Sequence, residues 1–214
     1  MTESFIILGT SSKNGGLCVA GVRPDGTWIR IVSGDAATNG AIPHNFMDGC
    51  GVLDYVSVDI VKKQPTKRQP ENCLVNLSVP IQYHEKVSLQ KVLEIHALDN
   101  PQYIFGDTGR AIPESIAEKQ TTSLLLIEVQ NLHLYKNEYN KSRADFFYNG
   151  ELYQEISVTD PECYQLNDNH YARAHLVMSL ADQSWFNNSC ELYYKFVAKV
   201  FFERVNYPLN FNLF

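Results

Sequence analysis

Trp28 and Arg30 lie two positions apart in Trp28-Ile29-Arg30-Ile31-Val32, where period-two alternation puts them on one face of a strand and the isoleucines on the other. If Ile29 and Ile31 fill a core, an indole and a guanidinium stand together outside it. Such a pair stacks on nucleic-acid bases for about 1–3 kcal/mol per base. The same two residues have a plainer use, with Trp28 filling an interface between two folded units and Arg30 paired to an acidic neighbour. Lys13, beside Gly15 and Gly16, is placed to meet a phosphate because glycines let backbone N–H groups approach closely; the alternative is a surface loop. Lys62, Lys63, Lys67 and Arg68 form the one dense basic run, suited to guiding a phosphate backbone or, with Pro65 and Pro70, to protecting a sheet edge. Tyr193, Lys195 and Lys199 share a face if their segment is a strand. An aromatic beside two lysines suits a single-stranded ligand, and equally suits lysines snorkelling over an exposed sheet.

Other chemistry is poorly supported. His170 and His175 lie five apart, with Asp168 and Glu162 nearby, but lack the H-x-H or H-x-x-x-H spacing of a metal site. The cysteines are scattered, with no C-x-x-C pair, and read as reduced thiols of a cytoplasmic protein. No G-x-S-x-G, H-E-x-x-H or G-x-G-x-x-G stands in a supporting context, so no catalytic residue, metal or cofactor is assigned. The formal charge of −6 argues against wrapping duplex DNA. No apolar run reaches the roughly 18–20 residues that cross a bilayer, so no membrane partner is expected.

The elements that must position these groups are mostly strands. Short runs rich in Val, Ile, Tyr and Phe are broken by Gly, Asn, Asp and Pro about every ten residues. Residues 5–8, 17–22, 28–33 and 53–61 read as strands, and 77–83 as an edge strand because of Pro80. Pro24-Asp25-Gly26 predicts one hairpin turn and Asn149-Gly150 another, between strands 144–148 and 152–158. Residues 124–129, 175–180 and 191–202 add further strands. One helix is expected over 89–98, with Ser88 as N-cap and an apolar stripe at Leu89, Val92, Leu93 and Ile95. The Pro-, Gly- and Thr-rich stretch 99–122 marks a boundary, dividing the chain into units 1–115 and 116–214. About five strands per unit is the inventory of an OB-type Greek-key barrel.

Three motifs in the first half carry a family resemblance: Lys13-Asn14-Gly15-Gly16-Leu17-Cys18-Val19-Ala20-Gly21-Val22, Gly26-Thr27-Trp28-Ile29-Arg30-Ile31-Val32-Ser33, and Gln69-Pro70-Glu71-Asn72. With Ala144-Asp145-Phe146, Val158-Thr159-Asp160-Pro161 and Tyr194-Lys195-Phe196-Val197-Ala198 in the second half, they resemble the bacterial dual OB domain-containing proteins. The likeness spans nearly the whole chain. It departs from the family pattern at Leu17, where a basic residue is usual, and at Ile31, where a proline is. The resemblance implies two OB-like barrels in tandem and, by association with other OB proteins, recognition of nucleic acid or nucleotide.

The sequence thus leads to a mostly β protein of two OB-like barrels with one or two short helices. Its expected ligand is single-stranded nucleic acid or a nucleotide, held by Lys13, Trp28, Arg30, Lys63, Lys67, Arg68, Tyr193 and Lys195. The alternative is a protein-interaction module of a bacterial defence or DNA-processing complex, acting through exposed aromatics.

Overall fold

The computed structural model describes residues 1–187 and 190–202, so the end of the expected C-terminal unit, 203–214, lies outside the described residues. Its first barrel comprises β1 (Thr2–Lys13), β2 (Gly16–Val22), β3 (Trp28–Val32), β4 (Asp54–Lys63) and β5 (Asn72–Val75). They close in the order β1-β2-β3-β5-β4-β1, with β3 and β5 parallel and every other pair antiparallel. The fifth strand is therefore 72–75, not the expected 77–83. Pro80 keeps that later segment out of the ladder until β6 (Gln82–Lys86), an exposed strand on the far side of β4.

After α1 (Leu89–Ile95), β7 (Ala111–Pro113) and the single turn α2 (Glu114–Ala117), a second barrel repeats the plan. Its strands are β8 (Leu124–Lys136), β9 (Ser142–Tyr148), β10 (Glu151–Val158), β11 (Asp168–Leu180) and β13 (Cys190–Phe202). The ring runs β8-β9-β10-β13-β11-β8, with β10 and β13 again the parallel pair. A short strand, β12 (Trp185–Asn187), folds back on the start of β13. Each barrel also has a 3-10 turn between its third and fourth strands, at 44–47 and 161–163, which drops Phe46 and Met47 into one core and Cys163 into the other. Both hairpin signals hold: Asn149 and Gly150 adopt φ of 50° and 81°, as a type I′ turn requires, and Gly26 adopts 80°.

Runs that are apolar on both faces explain how the barrels meet. Phe5 and Ile7 enter the first core while Ile6 and Leu8 point outward; Leu125 and Ile127 enter the second core while Leu124 and Leu126 point outward. The outward residues form a third cluster with Val22, Val177, Ala198 and Val92 of α1. Burying each such side chain fully contributes about 1.5–3 kcal/mol, so the two barrels form one unit through a true core. Residues 104–113, on the N-terminal side of the expected division, send Ile104, Phe105 and Ile112 into the second core.

A polar strut crosses the same junction. The Ser88 side chain accepts the Lys91 N–H at 3.1 Å to start α1. At the other end the His96 ring meets the Gly26 carbonyl at 2.8 Å and Asp99 Oδ2 at 3.1 Å, and Asp99 also accepts the Leu126 N–H at 2.7 Å. Burial opposes charge on this imidazole, but the Asp99 and Gly26 acceptors outweigh it and hold its pKa above the ordinary histidine value. The resulting stability is therefore complete below the unfolded-state pKa of about 6.5 and is lost as pH rises through the higher folded value. His96→Ala is expected to cost about 1–2 kcal/mol near pH 5.5 and distinctly less near pH 8.5, read by urea denaturation at both pH values.

Candidate functional site

Between the barrels, at the end opposite α1, opens a cleft of about 420 Å3. Its floor is Arg30, with Cys18 and Ser179 beside it. Arg30 is 1% exposed and fully engaged: Nε lies 3.3 Å from Glu71 Oε1, Nη1 donates to Cys18 Sγ at 2.7 Å, and Nη2 donates to the hydroxyls of Ser123 (2.7 Å) and Ser179 (3.3 Å). Ser123 in turn donates to Glu71. One guanidinium from β3 thus ties together the first barrel, the chain entering β8, and β11.

The end of β1 supplies one wall, Ser11 to Asn14. Burial holds the Lys13 ammonium below the ordinary lysine pKa, with Arg30 adding to the effect and Cys18 and Asp182 opposing it. Lys67, Lys86, Lys91, Lys195 and Lys199 each pair with a carboxylate. Lys13 forms no such pair among the described residues. The opposite wall is aromatic, with Tyr194 and Phe196 of β13 and Trp185 of β12. Trp185 is 66% exposed at the mouth, and the next residue, Phe186, is 68% exposed. Gln69, Asn39 and Gln183 add amides. An unpaired ammonium, a row of π-faces and a few hydrogen-bonding amides suit a planar ring that carries an anionic group.

Of the eight residues expected to form a ligand site, the cleft gathers Lys13 and Arg30. The isoleucines do face the core as expected, but the outer face that carries Arg30 is covered by the second barrel, so Arg30 and Trp28 do not stand as an exposed stacking pair. Trp28 is half-buried against the inter-barrel cluster, its ring edge-on to His96 at 5.0 Å. It lines a separate depression with Lys63. The end of the basic run is a clasp between barrels: Lys67 pairs with Glu118, Arg68 pairs with Glu114 at 2.8 Å and lies 4.1 Å above the Tyr193 ring, and the neighbouring Gln69 donates to the Leu180 carbonyl at 3.3 Å, while Lys62 and Lys63 stay exposed.

On β13 the faces are the reverse of a ligand-binding arrangement. Tyr193 is 2% exposed, and Lys195, fully enclosed, donates to the carbonyl and carboxylate of Asp107 at 2.6 and 2.8 Å. The alternating set, Tyr194 and Phe196, reaches the cleft instead. Sequence reasoning also passed over Trp185-Phe186, although an aromatic pair directly after the polar turn Asp182-Gln183-Ser184 is an exposure signal. Among the described residues no helix is long and apolar enough to cross a membrane.

Residues 3–200 match the family model described as the dual OB-containing domain, which covers both barrels and the cleft between them. No curated protein and no solved structure matches the chain.

Proposed function

Since the chain belongs to the dual OB-containing domain family, a class of binding module, we propose that its inter-barrel cleft takes single-stranded nucleic acid or a nucleotide and has no catalytic activity of its own. The observation that carries this reading is the pairing of unpaired Lys13 with the aromatic wall Trp185, Tyr194 and Phe196 across one cavity. OB barrels recur as binders of oligonucleotides and related ligands, and stacking on aromatics tolerates any base. The five unbridged cysteines fit a reducing, cytoplasmic setting.

Because Lys67 and Arg68 are neutralised by Glu118 and Glu114, few cations remain near the cleft to displace counterions. Titration of a labelled eight- to ten-nucleotide single strand at several salt concentrations is expected to give a slope of log K against log salt of about −1. Trp185→Ala is expected to weaken binding by about tenfold, within the 1–3 kcal/mol of one stacked base. Lys13→Ala flattens the salt slope further, and the Lys67→Ala/Arg68→Ala pair leaves affinity unchanged. No binding at low salt, or loss through Lys67 and Arg68 with Trp185 indifferent, overturns the reading. A second reading, a protein-interaction module, draws on the exposure of Trp185 and Phe186. It predicts that Trp185→Ala releases a protein partner while oligonucleotides never bind.

A further inference from the structure

On the outer face of the second barrel, away from the cleft, His133 of β8 stands directly opposite His170 of β11 in the antiparallel register. Asp168 is two residues before His170 and so on the same face. The two imidazoles stack at 4.1 Å, inclined by 8°. Their Nε2 atoms approach the same carboxylate oxygen, Asp168 Oδ1, at 2.8 Å from His133 and 3.4 Å from His170. From this convergence we propose that His133, His170 and Asp168 form a binding site for a borderline divalent transition metal of the Zn2+ class.

Donors bound to such an ion at about 2.0–2.2 Å stand about 3 Å from one another. Both histidine-to-carboxylate separations are already close to that. All three ligand atoms lie within 4.8 Å of one another, and His170, whose side chain is 69% exposed, needs only a side-chain rotation to bring its nitrogen in. His133 is the fixed partner: its ring is held between His170 and Tyr135, 4.8 Å away on its other side, and the Tyr135 hydroxyl is anchored on Asp145 Oδ1 at 3.0 Å. The backbone beneath is rigid, since Leu132 and Leu134 on either side of His133 are buried in the core. Two imidazoles and one carboxylate leave the remaining coordination positions to water, because the face is open to solvent. Along β11, His170 is nine residues from the cleft residue Ser179, about 30 Å of extended chain, so the metal site stands independently of the cleft. In the sequence His170 stands near only His175, at a spacing that does not suit a metal. Antiparallel pairing supplies His133 instead, thirty-seven positions away.

The test is Zn2+ titration of the full chain against a chromophoric chelator, with Co2+ substitution to report the donor atoms. One Zn2+ per chain is expected, with affinity reduced about tenfold or more in His133→Ala and in His170→Ala, and unchanged in His175→Ala. The Co2+ form is expected to show d–d bands without thiolate charge transfer. Zn2+ raises the unfolding temperature of the parent chain but of neither histidine variant, each compared with its own metal-free form. Absence of Zn2+ binding, binding that survives both histidine substitutions, or a thiolate band assigning the ion to cysteine would each overturn the proposal.

Discussion

Arg30→Met is expected to destabilise the protein by about 3–5 kcal/mol, a large share of the roughly 5–15 kcal/mol that holds a domain folded. The side chains of Arg30 and Glu71 are only 2% and 5% exposed, so methionine would fill the volume yet leave the Glu71 carboxylate buried without its counter-charge. The Ser123 and Ser179 hydroxyls would lose their donor as well. Urea denaturation reads the loss. The double variant Arg30→Met/Glu71→Leu, which removes both charges, is expected to recover much of it, because the penalty comes from the orphaned partner more than from any attraction in the pair. A guanidinium standing outside the barrel to stack on bases would behave otherwise. Its removal would shift stability by under about 0.5 kcal/mol and register only in ligand binding.

Asp160→Ala is expected to cost about 3 kcal/mol. This carboxylate, 1% exposed, begins the 3-10 turn after β10. Oδ1 accepts the Glu162 N–H at 3.1 Å; Oδ2 accepts the Val200 N–H at 3.0 Å and lies 3.2 Å from Lys199 Nζ. Alanine would strand a buried N–H and leave the nearly buried Lys199 with only Glu162. Asp160→Asn is expected to recover little, since an amide offers one acceptor oxygen and turns its NH2 toward a donor wherever it points. A reporter lies alongside: burial first, then the Asp160 charge, pushes the Cys163 thiol up to about 12. Removing the carboxylate is expected to lower that pKa, measured by the pH dependence of Cys163 alkylation in the folded chain, followed by mass spectrometry of the Cys163 peptide.

Turn chemistry and apolar periodicity made most of the fold legible. Pro24-Asp25-Gly26 and Asn149-Gly150 marked hairpins, and Ser88 marked the start of α1. β5 escaped because it is four residues long and sits between a polar loop and a better-looking alternation at 77–83, and its parallel partner β3 lies forty residues upstream. The facing of β13 was ambiguous for a different reason. Period two groups Tyr193 with Lys195 but does not say which face is inside, and lysine is admitted to the interior by Asp107, eighty-eight positions away. The basic run was equally visible and its use equally hidden, because Glu114 and Glu118 are brought to it by the docking of the barrels. The interface had a signal that reading these segments simply as strands passed over, the pair of runs apolar on both faces, 5–8 and 124–127. A strand with one face in its own barrel needs a second partner for the other, and here both runs find it in the shared cluster with Val22, Val92, Val177 and Ala198.

The most direct test of the cleft as the ligand site is amide hydrogen exchange of the full chain with and without a saturating single-stranded oligonucleotide. Protection is expected in the segments that line the cleft, residues 11–14, 179–185 and 194–196, and not at 62–68 or along the Trp28 face. Protection confined to 62–68 and the Trp28–Lys63 depression, or none in the presence of demonstrated binding, would contradict the account.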